Sequence, residues 1–267
     1  MTPPAVSVVI PCHGQAEYLS EAVASVIGQT FTDWEIVIVD DGSPDDTGET
    51  AERLMAAHPG RRIRLVRQEN QGLSSARNNG IAASTGRFVL PLDADNALLP
   101  EMLEKTVALL EADPSVAIAY TDYERFGAER RRNDAGVWTI DALAYSNQLD
   151  ACSLFRREVW SAVGGYNPNM RRGYEDWDFW IGAAERGFVG RRIPEPLFRY
   201  RVKESSRDVS AWQERRALRR QIARNHPVVF TAGRRLRHVV RRARDAAAYW
   251  ARSLIRRVRL QAPRVAG

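Results

Sequence analysis

Cysteine is scarce in this chain: Cys12 and Cys152 are the two present in 267 residues. Two thiols cannot build a disulfide framework or a four-thiolate zinc site, and they fit a reducing compartment. No run of 18 apolar residues occurs, so no membrane-spanning helix is expected. The opening MTPPAVSVVIP has no basic stretch ahead of a long apolar core. No signal peptide is therefore expected, and the expected location is cytoplasmic. A GxxxxGK[ST] loop is missing, which counts against a P-loop nucleoside triphosphatase. A GxGxxG after the first β-rich run is missing too, which counts against a dinucleotide-binding Rossmann domain. Glycine (18) and proline (13) are at ordinary levels, which excludes collagen-like and low-complexity classes. Acid is nearly absent from one end. Residues 212–267 carry 16 Arg against Glu214 and Asp245, a balance of +14, while residues 1–211 carry 23 Lys and Arg against 31 Asp and Glu, a balance of −8. The net charge of +6 thus describes a basic tail on an acidic body, which argues against nucleic acid as the partner of the whole chain.

With 44% hydrophobic and 27% charged residues, the chain can bury a substantial core. Its first half alternates continuous apolar runs with helical periodicity. Val6–Pro11 and Glu35–Val39 read as strands buried on both faces, and Ile63–Arg67 and Phe88–Leu92 as a third and a fourth strand. Glu17–Gln29, Asp45–Ala57 and Ser74–Ala83 read as the helices between them. This β–α alternation predicts an α/β fold, a Rossmann-like, mostly parallel sheet flanked by helices. Beyond Asp95 the signal loosens. Pro100–Glu111 reads as an amphipathic helix, Val116–Tyr123 as a strand, 127–136 as a surface loop and Cys152–Phe155 as a short strand. Asp176–Arg186 reads as a helix and Leu197–Val202 as a last strand.

The chemistry-bearing residues gather at strand ends, where doubly wound sheets bind ligands. Strand one runs into Pro11-Cys12-His13-Gly14, strand two into Asp40-Asp41-Gly42-Ser43, strand four into Asp93-Ala94-Asp95-Asn96. Asp93 and Asp95 are hard oxygen donors suited to Mg²⁺ or Mn²⁺ together with phosphate oxygens; the plain alternative is a polar turn. Asp41 suits acceptance from a nucleobase imino group, or capping of the next helix. Arg77, at the start of the third helix, suits a diphosphate, or is a solvated surface side chain. Glu175, Asp176 and Asp178 stand among Tyr174, Trp177, Phe179 and Trp180. Acids at a helix start are favoured by its dipole, yet a carboxylate beside aromatic rings also suits deprotonation of a sugar hydroxyl.

Together these segments resemble the family 2 inverting glycosyltransferases of GT-A fold. The likeness is carried by VSVVIPCHGQAEYLSEAVASVIGQTFTDWEIVIVDDGSPDDT, NQGLSSARNNGIAASTGRFVLPLDADN and GGYNPNMRRGYEDWDFWIGAAERG, and it spans residues 5–206. The resemblance implies a nucleotide-diphosphate sugar donor, a saccharide or lipid-linked acceptor and a divalent cation (Mg²⁺ or Mn²⁺), in cell-surface glycan synthesis. It places Pro11, His13, Asp41, Arg77, Asp93 and Asp95 on the nucleotide sugar, with Asp93 and Asp95 toward the metal. It makes Asp176 the general base and Glu175 and Trp177 acceptor-site residues. One departure stands out. After the last strand the chain reads Tyr200-Arg201-Val202-Lys203-Glu204-Ser205-Ser206, with Lys203 where the family commonly has His. A lysine cannot ligate Mg²⁺ as an imidazole does, but it can contact a diphosphate as a cation.

The resemblance divides the chain into a transferase domain, 1–206, and a basic helical extension, 207–267. From Gly233 onward Leu236, Val240, Ala243, Ala247, Trp250, Leu254 and Val258 form an apolar stripe opposite many arginines. A helix of this kind over 233–260 either packs on the acidic body or lies on an anionic membrane, which would make the protein peripheral on the inner face of the plasma membrane. Two other functions compete with sugar transfer. A nucleotidyltransferase would need a Gly-rich basic loop after strand one, and PCHGQAEY has one Gly and no Lys or Arg. A non-catalytic sugar- or partner-binding protein would not need the DDGS, DxD and ED clusters.

Overall fold

A computed structural model of the chain describes residues 2–203 and 207–231. Strand β1 (Val6–Cys12) leads through α1 (Ala16–Ile27) to β2 (Trp34–Asp41). Helix α2 (Thr47–Ala57), β3 (Ile63–Gln68), α3 (Leu73–Ala83) and β4 (Phe88–Pro91) follow. These strands pair in parallel in the order β3-β2-β1-β4. Every position of β1 is buried because the pleat sends alternate side chains to two different cores. Val6, Val8 and Ile10 pack with Leu19, Val23 and Val26 of α1. Val9 faces the other way, with Val37, Val39 and the α3 residues Ala76 and Ile81. Helix α3 sits so close that a Cβ on Gly80 would lie 2.4 Å from Val9 Cγ1. Each fully buried valine or leucine in these layers contributes roughly 1.5–3 kcal/mol.

The rest of the chain extends the sheet. Short β5 (Ala97–Leu98) and α4 (Met102–Ala112) precede the long β6 (Val116–Gly127). Strand β7 (Arg131–Asn133) pairs antiparallel with β6 in the segment expected to be a surface loop. Its Arg-Arg-Asn, exposed at both arginines, carries no apolar alternation, so nothing local marks it. It is fixed instead by Arg132 and the Ala135 N–H, which both bind the buried Asp122. Helix α5 (Ile140–Leu143), strand β8 (Leu154–Arg156), α6 (Arg157–Val163), α7 (Glu175–Glu185) and β9 (Val189–Val202) complete the body. Strand β8 is antiparallel to both β4 and β6, and β9 runs parallel to β6 along its length. The nine-stranded sheet has the order β3-β2-β1-β4-β8-β6-β9-β5, with β7 on β6, and its long ladders are parallel. Strand β9 starts well before Leu197. Pro194 and Pro196 hide its first half, and the register with β6 shifts beside them.

A second, aromatic core lies under α7. Tyr166 stacks on Phe179 at 4.4 Å, and Trp180 meets Phe155 edge-on at 5.9 Å. Helix α8 (Arg207–Asn225) adds Leu218 and Ile222 to this core, followed by Val229, so the packed body continues past residue 206. The amphipathic segment 233–260 lies outside the described residues. Among those residues no helix is long and apolar enough to cross a membrane.

Candidate functional site

The parallel strands end on one side of the sheet, and α7 begins facing them across a cavity of about 770 Å³. Pro11, His13, Asp41, Arg77, Asp93, Asp95, Glu175 and Asp176 all line it. Residues separated by more than 160 positions therefore share one hollow, which the strand-end argument required.

At the β2 end, the buried Asp41 organises the neighbouring loop. Its Oδ1 accepts from Gln68 Nε2 (2.7 Å) and the Gln71 N–H (2.8 Å), and its Oδ2 from the Gly72 N–H (2.9 Å). A carboxylate offers about four acceptor positions, so three donors leave room for one more on Oδ2. Asp41 does not cap α2, the helix that follows its strand; it fixes the entry to α3 instead and still lines the cavity. Gly42 is required beside it, because at φ 65° a Cβ there would lie 2.7 Å from the Asn70 nitrogen. Exposed His13 lies against the same loop, its Nδ1 2.9 Å from the Asp41 carbonyl oxygen and its Nε2 3.1 Å from Asn70 Nδ2.

Arg77 is not a solvated surface side chain; it is buried in the cavity lining. It is 1% exposed, and its two terminal nitrogens donate to Asp93 Oδ1 and Glu175 Oε1, each at 2.7 Å. Its guanidinium also lies 5.4 Å from the Tyr166 ring. The resemblance placed it near the base or diphosphate; in the structure it is also the rivet that links the DxD turn to α7. Both carboxylates hold it in the charged form against the cost of burial.

Helix α7 is entered through Tyr174, whose φ of 63° is left-handed, a strained conformation for a bulky residue. That turn aims Glu175 and Asp176 at the cavity from the first helical positions. Asp176 Oδ2 accepts from Asn147 Nδ2 (2.7 Å) and Oδ1 from the Trp177 N–H (2.7 Å). Burial in this aromatic setting, with the Glu175 charge beside it, raises its pKa to about 7. Trp177 corrects an expectation. One residue further on, it turns about 100° round the helix, away from the cavity. It is buried, and its Nε1 donates to the Leu143 carbonyl at 2.7 Å.

Asp93 and Asp95 both line the cavity, close enough for the charge of one to act on the other. Burial and the Asp93 charge raise the Asp95 pKa, although Lys203 Nζ lies 2.6 Å from its Oδ2. Among the described residues no cluster of three His, Cys, Asp or Glu could hold a metal alone. Two hard carboxylates crowded in one place still fit a Mg²⁺ or Mn²⁺ that takes its other ligands from phosphate and water, and such an ion would relieve their repulsion. Sequence reasoning missed Asn147, Asn133, Asp134 and Asp150, which line the cavity beyond Asp176. Asn133 ends β7 and the others sit in connecting segments, none of them in a motif, and only their tertiary placement reveals them.

A sequence model of the glycosyl transferase family 2 matches residues 7–164. Chondroitin synthase of Escherichia coli is 31% identical over 188 residues, which are 69% of this chain and 27% of that protein. The chain thus spans about a quarter of that relative's length. S. aureus TarS 1–349, solved with UDP-GlcNAc, superposes with a TM-score of 0.65 at 19% identity, over 82% of this chain and 66% of that one. The mannosyltransferase PcManGT of Pyrobaculum calidifontis, solved with GDP-Man and Mn²⁺, superposes with a TM-score of 0.62 at 21% identity, over 95% of this chain and 80% of that one. The shared architecture is the GT-A fold.

Proposed function

The chain belongs to glycosyl transferase family 2, and from that premise we propose that it is an inverting glycosyltransferase. It moves a sugar from a nucleotide-diphosphate sugar to a hydroxyl of a saccharide or lipid-linked acceptor, in cell-surface glycan synthesis. The observation that carries this reading is the cavity shared by Asp41, Asp95 and Asp176. The nucleotide sugars bound by TarS and PcManGT support the donor class.

Asp41 Oδ2 accepts a hydrogen bond from the nucleobase imino N–H beside Pro11 and His13. Asp93 and Asp95 would hold a divalent cation, which when bound neutralises the departing diphosphate. Asp176 takes the proton of the acceptor hydroxyl as its oxygen attacks C1 from the face opposite the diphosphate. The C1–O bond to phosphate breaks with that attack, and the single displacement inverts the anomeric centre. A base with pKa near 7 suits this task, being largely ionised just above neutrality yet still basic enough to take a proton. Asn147 and the Trp177 N–H fix the carboxylate's orientation. Glu175 positions the site through Arg77.

The test is a panel of UDP- and GDP-sugars scored by thermal shift and donor hydrolysis, with and without Mg²⁺ or Mn²⁺. Stabilisation by at least one donor is expected; no response to any would overturn the reading. The basic 233–260 segment is proposed to attach the enzyme to anionic lipid on the cytoplasmic face. Sedimentation with phosphatidylserine vesicles tests this: charge reversal at Arg237, Arg241 and Arg244 should abolish binding, and unchanged binding would refute it.

A further inference from the structure

Each carboxylate of the DxD turn already carries a cation of the protein itself. Arg77 holds Asp93 at 2.7 Å and is immobilised by burial and by Glu175. Lys203 holds Asp95 at 2.6 Å in a different setting. It follows the last residue of β9, on a flexible stem, and its side chain remains 22% exposed at the cavity wall. Its place is set by the chain around it. The Arg201 N–H donates to Asn96 Oδ1 (2.9 Å), and Arg201 Nε donates to the Asp95 carbonyl (3.0 Å). Arg201 also pairs with Glu21 of α1. The end of β9 is thereby stapled to the DxD turn, and the Lys203 ammonium, 5.0 Å from the Tyr18 ring centroid, stays within reach of Asp95.

An ammonium and a divalent ion cannot both sit close against Asp95 Oδ2, since like charges in a partly buried site repel strongly. One of them must move, and the lysine stem permits it. An arriving diphosphate offers several charged oxygens, for which an ammonium is a strong hydrogen-bond donor.

We propose that Lys203 is a built-in cation for the leaving diphosphate: it guards Asp95 in the resting site and moves onto diphosphate oxygens when the donor enters. This rests on the donor-site reading above and adds two consequences to it. Nucleoside diphosphate binds without any divalent ion, and Mn²⁺ alone binds weakly because Lys203 competes for Asp95.

Calorimetric titration of UDP and of GDP into the full chain in excess EDTA tests the first consequence. Wild type is expected to bind at least one of them, and Lys203→Met to bind it roughly 10- to 100-fold more weakly, the range for loss of a charged hydrogen bond. Lys203→Arg, which keeps the charge, should stay within about threefold of wild type, since the phosphate hydrogen bond is preserved. Mn²⁺ titration followed by electron paramagnetic resonance tests the second, with Lys203→Met expected to bind the metal about tenfold more tightly than wild type. Wild type that binds a nucleotide only when Mn²⁺ is added overturns the inference while leaving the donor site standing. Equal affinity of wild type and Lys203→Met in EDTA overturns it as well. Wild type that binds neither nucleotide under either condition overturns the donor-site reading itself. Thermal melts of both variants identify any loss of folding; in that event the wild-type titration in EDTA alone decides.

Discussion

Residues 6–92 hold their side of the cavity through a periodic parallel core, whereas residues 97–202 hold the other side through ion pairs, aromatic stacking and one strained turn. On the first side, β1 and β2 are buried almost throughout, and their regular pleat delivers Pro11 and Asp41 to the cavity. On the second side, Asp176 reaches the same cavity because Tyr174 turns the backbone and Arg77 ties Glu175 to Asp93. Binding one substrate part is served by a rigid pleated frame. The reacting base needs a carboxylate in an apolar setting, which a regular polar strand end does not supply. The two sides share one sheet and both cores, and changes at the residues that reach the cavity from each side should separate their functions.

The sharpest break is Asp176→Asn. Sugar transfer should fall by ~10²–10⁴-fold, the usual contribution of a general base, while UDP or GDP affinity stays within error. Normal turnover by this variant would remove Asp176 from the chemistry. In the wild type, burial and Glu175 raise the pKa of this carboxyl to about 7. The active form is the ionised one, so kcat/KM should rise with pH through about 7. A profile already flat below pH 5 would contradict it.

Arg77→Met should act on both sides at once, leaving two carboxylates unpaired around a buried methionine. A loss of about 3–5 kcal/mol is expected, from the usual cost of breaking a buried ion pair, measured by urea unfolding. A change below about 1 kcal/mol, the scale of a surface ion pair, would show that the rivet is dispensable.

Asp122 sharpens the picture of the second side. Burial opposes its ionisation, but Arg192, the Ala135 N–H and Arg132 outweigh it and lower its pKa to about 2. Its unfolded value is 3.8, so this stabilisation, about 2 kcal/mol, is fully present above pH 4 and is lost as pH falls through about 2. Asp122→Asn should therefore be less stable than wild type at pH 6, with the gap closing by pH 2. A gap independent of pH would show that the carboxylate's charge is not what holds β7.

The smallest effect separates packing from recognition. Trp177→Phe removes the bond to the Leu143 carbonyl and should cost about 1–3 kcal/mol of stability, the usual penalty for a buried acceptor left unpaired. The acceptor KM should not move; a raised KM with unchanged stability would return Trp177 to the acceptor site.

How much could be read beforehand follows the same division. The first side was legible because apolar runs, helical spacing and acidic strand ends are local signals, and Asp41, Asp93 and Asp95 lie where those signals end. Asp176 was legible through its cluster of acids and rings. The roles of Arg77 and Trp177 were not, since burial and partners 98 and 34 residues away decide them. Strand β7 and the first half of β9 were hidden for a related reason: arginines and prolines there pair through tertiary contacts with Asp122 and β6 rather than through an alternating pattern.

The central claim is tested most directly by a crystal structure with an intact UDP- or GDP-sugar. The base should lie against Asp41, the diphosphate at Asp95 and Lys203, and C1 of the sugar should face Asp176 from the side opposite the diphosphate. A nucleotide bound outside this cavity, or Asp176 on the same face of C1 as the diphosphate, would contradict it.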